Sequence, residues 1–140
     1  MNGRYFLDTN ILAYCFDPSA TDKRTRSNQL VREGREHRSA VISYQVVQEF
    51  INLALCRFKP QMTVDEVRRY STSVLRPMLA VNSSIALTLR ALEVTERYKF
   101  SWYDSLLIAA ALDADCETLY SEDLHHLQRI ETLQIVNPFR

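Results

Sequence analysis

The sequence predicts an α/β fold: a single domain over residues 1–140, an α/β/α sandwich around a central, mostly parallel sheet of four to five short strands. Short apolar runs alternate with longer segments of helical periodicity, the order expected when each strand is followed by a helix that crosses over to the next parallel strand. Four carboxylates, Asp8, Glu49, Asp104 and Asp123, each fall just after a predicted strand or in the opening turns of a predicted helix. In a parallel sheet these positions converge on one edge, where such folds bind their ligands.

Each element has its own justification. Residues 4–7 form a short buried strand, and Asp8, Thr9 and Asn10 make its polar exit into an apolar helical segment over 11–16. A basic helix covers about 22–36, with Gly34 near its end, and 40–43 is the second strand. Val46, Val47, Phe50, Ile51, Ala54, Leu55 and Phe58 then recur at helical spacing, with Glu49 early on the other face. Thr63 and Glu66 form a capping-box pair, with Val64, Val67, Tyr70 and Val74 inward and Pro77 marking the helix end. Residues 79–81 are a third strand. Ser83 or Ser84 caps a helix with Ile85, Leu89 and Leu92 on one face, and Ser101 caps the next, over 102–113. Residues 118–121 and 134–136 complete the strands, the last closed by Asn137 and Pro138.

Composition narrows the function classes. At 140 residues and 46% apolar the chain suits one domain with a sizeable core, and it has no linker-like tract or internal repeat. No apolar run is long enough to span a bilayer, and no basic region leads into an apolar signal core, so a cytoplasmic protein is expected. Cys15, Cys56 and Cys116 are odd in number and far apart, which predicts buried free thiols, not disulfides or a zinc site. With only two glycines there is no phosphate-binding loop. Seventeen basic and seventeen acidic residues cancel, which argues against a general nucleic-acid glue. Their distribution is uneven: residues 1–76 carry 12 Lys/Arg against 8 Asp/Glu, and residues 77–140 carry 5 against 9. Most of the basic run is a solvated helix face; a minority beside an acidic metal site would suit an extended polyanion.

Each acid has a duller explanation as well. Asp8 suits a helix cap, yet an acid so close to a buried strand is costly unless a partner or metal compensates it. Glu49 alone reads as a solvent-facing helix residue. Ser101 and Asp104 satisfy the capping-box pattern, and turn chemistry explains Asp123 in Ser121-Glu122-Asp123. Their common placement at strand ends favours a joint role as oxygen ligands of Mg²⁺ or Mn²⁺, one or two ions, since hard cations prefer such ligands. Thr9, Asn10 and Ser121 are candidates to orient those carboxylates. His125 and His126 point in different directions and are expected to serve surface or packing roles, while Trp102 and Tyr103 read as packing anchors.

Four segments carry a family resemblance. Phe6-Leu7-Asp8-Thr9-Asn10-Ile11-Leu12, Val47-Gln48-Glu49-Phe50, Trp102 through Ala111, and Leu119-Tyr120-Ser121-Glu122-Asp123-Leu124 resemble, in order, the successive motifs of the PIN domain family, and most nearly its VapC-type toxin nucleases. The likeness covers nearly the whole chain, and Ile135-Val136-Asn137-Pro138-Phe139 is similar to the last strand of many members. It implies that Asp8, Glu49, Asp104 and Asp123 form an acidic metal site, with Asp123 favoured over Glu122. It further implies a metal-dependent endoribonuclease, the toxin of a toxin–antitoxin pair, acting on RNA, commonly a homodimer and inhibited by a cognate antitoxin protein. Two alternatives compete: a catalytically silent RNA- or protein-binding module of the same fold, and a haloacid dehalogenase-type phosphatase. The latter needs a second Asp where this chain has Asn10.

Overall fold

The computed structural model describes residues 3–140. Along the chain the elements are β1 (Tyr5–Leu7), α1 (Thr9–Tyr14), α2 (Thr21–Glu36), β2 (Ala40–Ser43), α3 (Tyr44–Cys56) and α4 (Val64–Tyr70). A π-helical stretch, Ser71–Leu75, leads into α5 (Arg76–Met78), followed by β3 (Leu79–Val81), α6 (Ile85–Tyr98), α7 (Trp102–Asp113), β4 (Thr118–Tyr120), β5 (Arg129–Ile130) and β6 (Leu133–Val136).

The strands form one sheet in the order β3-β2-β1-β4-β6-β5, parallel throughout except for β5 against β6. The expected mostly parallel α/β domain is therefore what the chain adopts, with six strands where the sequence predicts four to five. The additional strand is β5, two residues that fold back on β6 through Glu131, whose φ is 55°. A strand this short, turned by a non-glycine residue, has neither periodicity nor a turn dipeptide to mark it. From β1 the chain builds outward to β2 and β3 on one side and to β4 and β6 on the other. The crevice of this doubly wound sheet therefore opens at the carboxyl ends of β1 and β4.

Capping starts most helices where side-chain chemistry predicts. Asp8 caps α1, Ser43 caps α3, Ser84 (of the Ser83/Ser84 pair) caps α6, Ser101 caps α7, and Thr63 with Glu66 forms a full capping box on α4. Each cap satisfies an otherwise orphaned N–H of the first turn. Phe6, Leu7, Ile42, Leu119 and Ile135 from the strands are fully buried, against Ile11 and Leu12 of α1, Phe50 of α3 and Ile108 of α7. Phe16, Phe50, Phe58 and Tyr70 form an aromatic cluster with centroids 5.0–5.8 Å apart.

Several burial expectations reverse. Ile85, Leu89 and Leu92 do share one face of α6, but that face is outward, at 74%, 57% and 49% exposure; Leu87, Ala91 and Val94 are the buried set. A helix that packs chiefly on one neighbour, here α7, needs only one narrow inward stripe. Val64 is also exposed, as the first residue of its helix. Of the three thiols only Cys116 is buried; Cys15 is partly buried and Cys56 exposed. Among the described residues no helix is long and apolar enough to cross a membrane.

Candidate active site

Parallel pairing sets Leu7 opposite Tyr120, so the residues that follow, Asp8 and Ser121, leave the sheet side by side. The Asp8 N–H donates to the Tyr120 carbonyl at 3.1 Å, and the Ser121 N–H to the Val136 carbonyl at 3.0 Å. Ser121 is fully buried, and its hydroxyl donates to Asp8 Oδ2 at 2.8 Å. The other carboxylate oxygen, Oδ1, accepts the Thr9 N–H at 2.7 Å, the bond that caps α1.

The Asp8-Thr9-Asn10 turn touches two more acids. Thr9 Oγ1 donates to Glu49 Oε1 at 2.8 Å, and Asn10 Nδ2 to Asp123 Oδ2 at 2.7 Å. All three residues singled out as orienting groups thus donate to carboxylates. The amide at position 10 also acquires a reason: a carboxylate there would repel Asp123, whereas Asn10 holds it. This is a packing argument against the phosphatase reading, which requires an acid at that position.

Charge in this group is uncompensated. Burial pushes the Asp8 carboxyl up to about 6, with the charges of Glu49 and Asp123 adding to the rise and the hydrogen bonds from Ser121 and Thr9 opposing it. Among the described residues none of Asp8, Glu49, Asp104 and Asp123 forms an ion pair. The adjacent Glu122 behaves differently. Lys23 lies 2.9 Å from its Oε2, and Tyr14 Oη donates to its Oε1 at 2.9 Å. This pair of neighbouring acids is thereby sorted, Asp123 toward Asn10 and Glu122 toward Lys23. Tyr14 and Lys23 escaped the sequence reading, since neither sits in a motif and 108 residues separate Tyr14 from its partner.

Asp104 stands on a neighbouring element at the same edge. Gln45 Nε2, one turn before Glu49 on α3, donates to the Tyr103 carbonyl at 3.2 Å and so ties the start of α3 to the start of α7. Only half of the expected capping box forms: the Asp104 N–H donates to Ser101 Oγ at 3.4 Å. The Asp104 carboxylate has no hydrogen-bond partner among the described residues. Trp102 packs on the core as expected, but Tyr103 is 66% exposed and anchors nothing. His126 serves packing, its Nδ1 accepting the Asn137 N–H at 2.9 Å, and His125 is exposed.

The donor set is oxygen-only and lacks a counter-cation, which fits a hard divalent ion. Among the described residues, however, no three His, Cys, Asp or Glu side chains lie close enough together to hold a metal. Asp8, Glu49 and Asp123 are instead held by the neutral donors Ser121, Thr9 and Asn10.

A family model described as PIN domain matches residues 5–132. Among curated proteins none matches the sequence. Solved structures that share the fold include the following three. A toxin–antitoxin complex from Klebsiella pneumoniae superposes with a TM-score of 0.66 at 20% identity, covering 96% of this chain and 97% of that one. VapC20 of Mycobacterium tuberculosis, a sarcin-ricin loop cleaving toxin, gives 0.62 at 16% identity, covering 85% and 89%. VapBC2 from Rickettsia felis, bound to a DNA fragment from its promoter, gives 0.57 at 18% identity, covering 94% and 96%.

Proposed function

The chain belongs to the PIN domain family, and on that footing we propose that it is a cytoplasmic, metal-dependent endoribonuclease, the toxin of a toxin–antitoxin pair. The observation that carries the reading is the carboxylate group at the crevice between β1 and β4, where Asp8 lies under the charges of Glu49 and Asp123 with no cation to balance them. A purely structural cluster would be expected to recruit a Lys or Arg, as Glu122 recruits Lys23. The toxin reading draws on the likeness of fold to VapC20 and to two toxin–antitoxin assemblies.

In this reading Asp8, Glu49, Asp104 and Asp123 would hold one or two Mg²⁺ or Mn²⁺ ions. The chemistry an ion would supply there is activation of water for attack and neutralisation of charge on the phosphate. The chain's own contribution is positioning. Ser121 and Thr9 fix both oxygens of Asp8, Thr9 also holds Glu49, and Asn10 holds Asp123, so three ligands are oriented from one turn. Burial beneath Asp8 strengthens its attraction for a cation by lowering the local dielectric. No side-chain nucleophile is required.

A cognate antitoxin is the expected protein partner, and the proposal includes a homodimer formed through the outward face of α6, where Ile85, Leu89 and Leu92 lie exposed in a row. The test is cleavage of structured and single-stranded RNAs by the purified protein with Mg²⁺, Mn²⁺ or EDTA, beside an Asp8→Asn/Asp104→Asn control. Metal-dependent cutting that vanishes in the control is expected. Absence of cutting by folded, inhibitor-free protein would shift the assignment to a silent binding module.

A further inference from the structure

We propose that the cleft between α1 and the C-terminal end of α3 binds the single-stranded RNA flanking the scissile phosphate, with Arg57 and Lys59 contacting its backbone phosphates. The inference rests on the nuclease reading of the carboxylate site and names where that substrate lies.

The cleft has a volume of about 450 Å³ and shares Asn10, whose amide holds Asp123, with the site; Arg57 and Lys59 also line it. Both cations are exposed, and among the described residues neither side chain has a hydrogen-bond or ion-pair partner. Lys23, Arg68 and Arg90, by contrast, are engaged by acids. Asp17 on the rim accepts both the N–H and the hydroxyl of Ser19, which turns its charge back onto its own loop.

Charge complementarity favours a phosphate strand. A polyanion approaching four unpaired carboxylates is repelled unless positive charge is supplied nearby, and a chain of zero net charge supplies it only locally. Part of the lining is apolar. Phe16 and Phe58, stacked with centroids 5.6 Å apart, are each partly exposed there. Such rings accept an unpaired base of any identity, which a duplex cannot present.

The test compares wild type with Arg57→Gln/Lys59→Gln. Affinity for a short, labelled single-stranded oligoribonucleotide of mixed sequence is measured in Ca²⁺ over a range of salt concentrations. Removing two phosphate contacts is expected to reduce the slope of log affinity against log salt by about 1.4, at roughly 0.7 per single-strand contact. A charge-preserving Arg57→Lys/Lys59→Arg variant should keep the slope. Hydrolysis of bis(p-nitrophenyl) phosphate, too small to reach the cleft, should be equal in all three proteins. An unchanged slope in the glutamine variant overturns the assignment even if the protein cuts RNA, and leaves the cleft to a protein ligand. If wild type hydrolyses neither RNA nor the small diester, the nuclease reading fails, and the slope still decides the cleft.

Discussion

Ser121 donates its hydroxyl hydrogen to Asp8 Oδ2 over 2.8 Å, a bond between residues 113 apart that each stand one place beyond adjacent parallel strands. Ser121 is fully buried, so water cannot replace it. Ser121→Ala is therefore expected to destabilise the fold at pH 7 in EDTA by about 1.5–3 kcal/mol, the range for a hydrogen bond to a charged group. At pH 4, where Asp8 is protonated, the deficit should shrink. Urea unfolding at both pH values checks this, and equal deficits would show that the serine acts by packing alone.

The raised Asp8 carboxyl sets a pH dependence of stability. In the unfolded chain Asp8 titrates near 3.8 and in the folded chain near 6, so between these values the folded state binds more protons. By linkage, its contribution to stability falls as pH rises from about 4 to about 6 and is flat outside that window. In EDTA, wild type should lose stability across this interval relative to Asp8→Asn, in which the amide retains capping ability and has no charge to desolvate. Parallel urea-midpoint profiles for the two proteins would contradict the cause assigned to the shift.

How legible this arrangement was depended on the range of the interactions. Caps and helix periods are local, and Asp8, Thr63, Ser84 and Ser101 act where side-chain chemistry places them. Strand-end acids are legible because topology follows from strand–helix alternation, and that brought Asp8, Glu49 and Asp123 to one edge. The sorting of Glu122 from Asp123 depended on Lys23 and Tyr14, which no spacing links to it. The outward turn of Ile85, Leu89 and Leu92 was equally hidden, since periodicity shows that residues share a face and not what covers it.

Gly34 illustrates a requirement visible only in three dimensions. It lies on the buried side of α2, where an added Cβ would overlap Ala40 Cβ and meet Tyr5 Oη at 2.8 Å. Tyr5 is itself held there, its hydroxyl donating to the Leu30 carbonyl at 2.6 Å. Within an ordinary helix, glycine to alanine gains roughly 1 kcal/mol. Here Gly34→Ala should cost about 1–3 kcal/mol by overpacking α2 against β2. A rise in the urea midpoint would mean that α2 can move off the sheet at little cost.

Leu89 tests the outward face of α6. At 57% exposure it contributes little to the core, so Leu89→Glu should leave the melting temperature nearly unchanged while removing an apolar contact at the centre of the Ile85, Leu89 and Leu92 row. Burying a leucine fully is worth about 1.5–3 kcal/mol, and a two-fold interface counts each such residue twice. Leu89→Glu is therefore expected to convert a dimer to monomer at micromolar concentration, read by sedimentation velocity. Leu87→Glu, on the inward face, should unfold the protein instead. A wild type that sediments as a monomer at every concentration would refute the assignment of this face to self-association, whereas a dimer indifferent to Leu89→Glu would place the interface elsewhere on the surface.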